Sequence, residues 1–318
     1  MSVNYYFSGM GLSPVHDLHY CEKLAKKIPF RLLSCFTEYT KFAHFWSGLV
    51  ASQENSKEFN TILLDSGAFT AWNKNTEMTL EDLFPIYYDF MTKYWSSCKE
   101  IYLINLDKIP GSPGVNPSAE EIDECEKISD VNYNKLVKEF GSRVLPVYHQ
   151  GESQERLDEV VKMGDYICVS PRNDLPEGQR VSWSVEVHSK IPKTTKTHGL
   201  ATTGMKMMKT VPWTSIDSAS WMFTASTGSI SIVMNGKLIN IGISEKSSNR
   251  FTKGLHFDNS LQDVQDMMLS RFALHGYTLE ELRTNDGARC AFTMEEIQHW
   301  VDNYQSVIFN PINTLFPL

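Results

Sequence analysis

Eight short runs rich in β-branched, aromatic and aliphatic residues recur along the first two thirds of the chain, and each of the seven gaps between them carries a helical pattern. The runs are Tyr5–Ser8, Leu32–Phe36, Thr61–Leu64, Ile101–Leu106, Val144–Tyr148, Tyr166–Ser170, Thr195–His198 and Thr214–Ile216. Strands separated by helices pair in parallel through right-handed crossovers, because a parallel neighbour cannot be reached by a tight hairpin. Eight such units is the number that closes a barrel. The expected fold is therefore α/β, a (β/α)8 TIM barrel over residues of about 1–225.

The helical gaps carry their own punctuation. Thr79 with Asp82 and Ser118 with Glu121 have the spacing of capping boxes, Ser153 with Arg156 breaks it, and Gly141 and Gly164 fall where helices stop. Beyond the eighth run the alternation ends. Asn235-Gly236 sits between alternating apolar residues in "SISIVMNGKLINIGIS", the signature of a type I′ hairpin, and helical patterns follow around 260–277, 278–284 and 293–305. With no linker or low-complexity stretch between them, this extension over about 226–318 reads as an addition to one catalytic domain spanning 1–318.

The 318 residues are 42% hydrophobic and 21% charged, which is globular composition and excludes wholesale disorder. Six cysteines occur without a CxxC pair or a zinc-finger spacing, so reduced core thiols are expected. No basic, apolar and small-residue leader opens the chain, and no apolar run is long enough to span a bilayer. A cytoplasmic location is expected, the host cytoplasm if the chain is phage-encoded. The net charge of −8 conceals an uneven distribution: nine Lys or Arg between Lys190 and Lys253 face only Asp217 and Glu245, an excess of seven, which leaves −15 on the remainder. Within that stretch and its edge, Lys196, Lys206, Lys209, Arg250 and Lys253 are candidate phosphate contacts, against the alternative of a solvated basic face.

In a barrel enzyme the chemistry lies at the C-terminal ends of the strands. The runs here lead into Asp65-Ser66-Gly67, Asp107, His149-Gln150-Gly151, Ser170, His198-Gly199 and Asp217-Ser218. One Asp at a strand end is an ordinary turn residue. Three on one face, with two histidines, point to a site. Paired carboxylates suit attack at an anomeric carbon with proton transfer to the leaving group; carboxylates with His149 and His198 equally suit a divalent metal, as in a metal-dependent barrel hydrolase. These residues alone leave both readings open.

Four of the segments resemble the tRNA-guanine transglycosylases and their phage relatives that place 7-deazaguanines in DNA. "LLDSGAF" is similar to that family's strand-end DSGG with its following aromatic residue, "NLD" to its second aspartate, "HQG" to its glutamine-glycine motif, and "SIDSASW" to its nucleophile segment, in the same order. The resemblance spans roughly Tyr5 to Trp221 and implies two displacements without a cofactor. It implies Asp217 as the nucleophile that forms a glycosyl-enzyme and Asp65 as the general acid/base. By the same resemblance Asp107 recognises the guanine amidine edge, while Gln150, Gly151, Ser170 and Gly199 contact the base. His149 and His198 have no counterpart; a role orienting the carboxylates is expected of His198 and open to His149.

The departures from the family direct the choice of partner. Ala68 replaces the second glycine, Thr70 stands where the tRNA enzymes carry glutamine, and of their zinc-binding cysteine cluster only Cys290 remains, so no zinc subdomain and no bound metal are expected. The resemblance therefore implies DNA and a free 7-deazaguanine base as partners, with tRNA the alternative and a degenerate nucleic-acid-binding barrel a remoter one. Trp213, Trp221 or Phe223 are candidates to stack on an extruded base.

Overall fold

A computed structural model of the chain describes residues 3–9, 18–25, 31–35, 61–94, 98–112, 114–202 and 204–303. Its centre is a sheet of nine parallel-paired strands: β1 (Asn4–Ser8), β2 (Arg31–Cys35), β3 (Thr61–Asp65), β4 (Glu100–Ile104), β5 (Val144–Leu145), β6 (Val147–His149), β7 (Tyr166–Ser170), β8 (Lys196–Gly199) and β9 (Ser215–Ser218). Their spatial order is β5-β4-β3-β2-β1-β9-β8-β7-β6. The eight expected runs all appear, with one change. The fifth is split at Pro146, whose ring removes the N–H that a continuous ladder needs.

That interruption places β5 at one end of the strand order and β6 at the other, although a single residue separates them in sequence. On one side Leu145 O accepts from Asn105 N at 3.0 Å, while on the other Pro146 O accepts from Cys168 N at 2.8 Å. Period-two alternation divides the side chains between two faces. Tyr5, Phe7, Ile62, Leu64, Ile101, Leu103, Ile167, Val169 and Ile216 pack outward into the large apolar core beneath the helices. Tyr6, Leu63, Ile104, Leu145, Val147, Tyr166 and Cys168 pack against one another on the other face, so residues from both ends of the strand order share one buried cluster.

Helices follow the strands: α1 (Leu18–Ala25), α2 (Ala68–Asn73), α3 (Leu80–Tyr94), α4 (Ala119–Phe140), α5 (Gln154–Met163), α6 (Glu177–Lys190), α7 (Met205–Thr210) and α8 (Ser220–Ser226). The expected helix over 37–53 lies outside the described residues. Thr79 and Asp82 cap α3 reciprocally, with Thr79 N donating to Asp82 Oδ2 at 3.1 Å. Ser118 caps α4 by accepting from Glu121 N, but the Glu121 carboxylate turns away to Gly111 N. Ser153 caps α5 despite lacking an acid three residues on, because Arg156 N alone suffices as donor, and the Arg156 guanidinium is freed to bind Asp130 in two hydrogen bonds.

The hairpin forms as expected from β10 (Ser229–Met234) and β11 (Lys237–Gly242), with Asn235 and Gly236 at φ 50° and 73°. After it come α9 (Gln262–His275), α10 (Leu279–Thr284) and α11 (Asp286–Asn303). Phe292, Met294 and Ile297 of α11 share the large core with Phe7, Trp221 and Ile230, so hairpin and terminal helix are packed on the sheet. Cys98, Cys125, Cys168 and Cys290 are all buried, Cys125 and Cys168 as free thiols. No helix among the described residues is long and apolar enough to cross a membrane.

Candidate functional site

The face that carries Tyr6, Leu63 and Cys168 acquires polar side chains toward the C-terminal ends of the strands. Counting in twos places Asp65 after Leu63, His149 after Val147 and Ser170 after Cys168. Register extends the set: Cys168 lies opposite His198, His198 opposite Ser215, and Tyr6 opposite Asp217. Asp107 arrives differently, three residues beyond the end of β4, on a loop whose Lys108 N donates to Ser129 Oγ at 2.8 Å.

The three aspartates converge on one buried thiol. Burial first, and then the charges of Asp107, Asp217 and Asp65, push the Cys168 thiol well above its usual range. Asp107 and Asp217 are 9% and 5% exposed, so each needs polar partners to remain a carboxylate there.

Asp107 finds its partner in His149, whose Nε2 lies 2.7 Å from Oδ2. Burial alone would lower the His149 pKa, but the hydrogen bond and charge of Asp107, aided by the charge of Glu152, outweigh it and raise the pKa. Glu152 is bound to the same segment, accepting from His149 N at 2.8 Å; its own burial outweighs the neighbouring cations and pushes its carboxyl up to about 7.

Asp217 is held by a turn. Oδ1 accepts from Ala201 N at 2.9 Å and stands 3.3 Å from His198 Nε2. Ala201 presents that N–H from a left-handed conformation, φ 51°, which costs a non-glycine residue about 1 kcal/mol or more. The turn is closed by Thr202 Oγ1 donating to Gly199 O at 2.8 Å. Here Gly199 is required sterically, since a Cβ would lie 2.2 Å from Thr202 Oγ1 and 3.1 Å from the Trp213 ring.

Against His149, the partner of Asp107, opens a pocket of about 270 Å³, which none of the three aspartates lines. Its polar wall is His149, Gln150, Ser170 and Arg172, and its apolar wall includes Phe69, Trp72, Ile109 and Val115. Phe69 and Trp72 stack at 5.8 Å between ring centroids, and Trp72 is fixed by donating to Gly111 O at 2.7 Å. Gln150 Oε1 accepts from Arg172 N at 3.0 Å, which leaves its amide N–H groups for a ligand. The Arg172 guanidinium is clamped by Asp174 and by Asn116. Gly151 adopts φ 118°, closed to other residues, in the turn that follows.

The structure thus brings Asp65, Asp107, His149, Gln150, Gly151, Ser170, His198, Gly199 and Asp217 to one end of the sheet. The expected cations are dispersed by comparison. Lys196 is the first residue of β8 and so lies at the end of that strand remote from His198 and Gly199. Lys206 and Lys209 are on α7, with the Lys209 ammonium 5.7 Å from the Trp300 ring centroid; Arg250, 3.5 Å from Glu245, and Lys253 lie on the exposed segment after the hairpin. A charge excess counted along the sequence does not say which way each strand or helix carries its lysines. Trp213 and Trp221 are corrected as stacking candidates: both are core, 4% and 0% exposed, whereas Phe223 is exposed. Ala201, Glu152, Tyr166 and Ser215 were not expected at the site; of these Ser215, two residues before Asp217, and Tyr166, four before Ser170, had a signal in the two-residue period of their strands.

Among the described residues no three His, Cys, Asp or Glu side chains are arranged to hold a metal ion. Neither a protein-family model nor a curated protein sequence matches the chain. Among solved structures, the YdjI aldolase from Escherichia coli K12 is similar at a TM-score of 0.40 and 11% identity, covering 71% of this chain and 79% of that one.

Proposed function

We propose that this protein is a base-exchange transglycosylase that replaces guanine in DNA with a 7-deazaguanine. The observation that carries the reading is the convergence of Asp65 and Asp217, at the ends of β3 and β9, and Asp107, on the loop after β4, on the Cys168 end of one sheet face. In this reading β5 and β6 are one strand shared by both ends of the sheet, which closes it into an eight-stranded TIM barrel with the aspartates at its mouth.

The chemistry follows from how each carboxylate is held. Asp217 Oδ1 is occupied by Ala201 N and faces His198, whereas Oδ2 has no hydrogen-bond partner among the described residues. Oδ2 therefore supplies the electron pair that forms the bond to C1′, and the C1′–N9 pair leaves with guanine as Asp65 gives a proton to the departing ring. The incoming 7-deazaguanine then loses its N9 proton to Asp65, its N9 pair forms the new bond to C1′, and the ester pair returns to Asp217. Inversion twice gives net retention.

Asp107 keeps Oδ1 free to accept from the guanine N1–H and exocyclic amine, while His149 holds Oδ2. The Gln150 amide N–H groups face the base carbonyl, and the aromatic pair Phe69 and Trp72 walls the pocket. A pocket this small admits one planar base, so the target nucleotide must be extruded from the duplex or presented single-stranded.

Incubating the protein with a radiolabelled 7-deazaguanine base and either DNA or tRNA tests the assignment. Label retained in the DNA and lost by Asp217→Ala is expected. Retention in tRNA alone would reassign the partner, and retention in neither would refute base exchange.

A further inference from the structure

Beneath Asp217 lies a buried chain of polar side chains that the exchange reaction as written does not use. Tyr166 Oη and Ser215 Oγ are 2.5 Å apart, Ser215 Oγ and His198 Nδ1 are 2.6 Å apart, and His198 Nε2 stands 3.3 Å from Asp217 Oδ1. Ser215 and His198 are fully buried and Tyr166 is 6% exposed. His198 Nε2 meets no aligned hydrogen-bond partner, which makes it an orphaned buried atom beside the carboxylate.

The burial makes the proton positions a problem with one solution. The Tyr166 hydroxyl has Ser215 Oγ as its hydrogen-bond partner, so its hydrogen is satisfied only by pointing there. Ser215 has one hydrogen, and its remaining partner is His198 Nδ1. Nδ1 is then an acceptor, and the ring proton sits on Nε2. The opposite arrangement would leave a buried tyrosine or serine hydrogen unpaired and set an imidazole lone pair beside a carboxylate oxygen, each a cost of the kind buried polar groups avoid.

We propose that Tyr166, Ser215 and His198 form a positioning relay that locks the His198 proton on Nε2, facing Asp217 Oδ1, and so leaves Oδ2 as the single oxygen free to react. The relay rests on the nucleophile role given to Asp217 above, but the tautomer it fixes does not. Other groups facing His198 are consistent with it. Tyr6 packs its ring edge-to-face at 5.5 Å, and Cys168 is its neighbour across the strand pair.

Nitrogen-15 NMR of the full-length protein with labelled histidine reads the tautomer directly, because a protonated and an unprotonated ring nitrogen resonate far apart. The Nε2–H form is expected in the unmodified protein. Tyr166→Phe, which removes one oxygen from a ring of unchanged shape, is expected to populate the Nδ1–H form and to slow base exchange about 10- to 100-fold, the usual effect of removing an outer orienting group, with the KM for the free base unchanged. An Nδ1–H ring in the unmodified protein would overturn the relay, as would an unchanged tautomer and exchange rate in Tyr166→Phe. An Nε2–H ring in a protein that exchanges no base would leave the relay standing and refute the transglycosylase assignment instead.

Discussion

At the scale of single residues, the site is built by neighbours that compensate buried charge. Glu152 shows the cost where compensation is incomplete. Its carboxyl, raised from 4.5 to about 7, is bound as the acid more readily in the folded protein than in the unfolded chain. The stability it lends is therefore full below about pH 4.5 and lost as the pH rises through 7. The shift corresponds to at most about 3 kcal/mol. Glu152→Gln keeps an acceptor for His149 N and is expected to flatten the fall in urea-unfolding stability between pH 5 and 8; an unchanged slope would remove Glu152 from the account. His149 has the same sign, since its raised pKa means stability lost as pH rises past it. Asp65 and Asp217 were legible in the sequence because they sit at strand ends in the two-residue period. Ala201 was not, because a backbone N–H offered from a left-handed turn leaves no mark on residue type.

At the scale of elements, sequence pattern located what local chemistry determines. The Asn235-Gly236 hairpin and the helical pattern over 278–284 formed where they were read, and the structure adds a capping box at Thr278 of α10, since a turn type or a cap is decided by a few adjacent residues. Helices α2 and α8, of six and seven residues, were missed: each starts within the strand-end turn that precedes it, α2 inside the "SGAF" and α8 directly after Ser218-Ala219. α11 starts at Asp286, before the expected 293, because its buried Arg289 is satisfied by Ala225 O and Leu282 O, contacts no local pattern reveals. The same helix fastens the hairpin. Fully buried Glu296 accepts from Val233 N at 2.7 Å, Arg271 Nε at 2.6 Å and His275 Nε2 at 2.6 Å. Burial would raise its pKa, but these donors prevail and lower it. Glu296→Ala leaves Arg271 Nε and Val233 N without their buried acceptor, while His275 keeps Glu295, and is expected to cost about 3–5 kcal/mol, with amide exchange quickening first in β10 and β11. A loss below about 1 kcal/mol would mean that the apolar packing alone holds the hairpin.

At the scale of the whole molecule, the alternation of strands and helices correctly implied a parallel sheet, and one proline decides how that sheet is described. Pro146 divides the fifth strand so that its halves pair with β4 and β7 on opposite sides. Nothing in the run Val144–Tyr148 announced the break except the proline itself, which is tolerated because Leu145 O and Pro146 O still accept from the two neighbours. The distribution of charge was less legible: the cations of one quarter of the sequence fell on β8, on α7 and on the segment after the hairpin, whereas the three aspartates, two at strand ends and one on the loop after β4, gathered. The account therefore stands on Asp217. Mixing the protein with guanine-containing DNA in the absence of incoming base, quenching in acid and sequencing the DNA-linked peptide tests it most directly. A covalent DNA adduct on Asp217, abolished by Asp217→Asn and discharged on adding a 7-deazaguanine, is the expected result; an adduct on another residue, or base exchange that persists in Asp217→Asn at the unmodified rate, would contradict it.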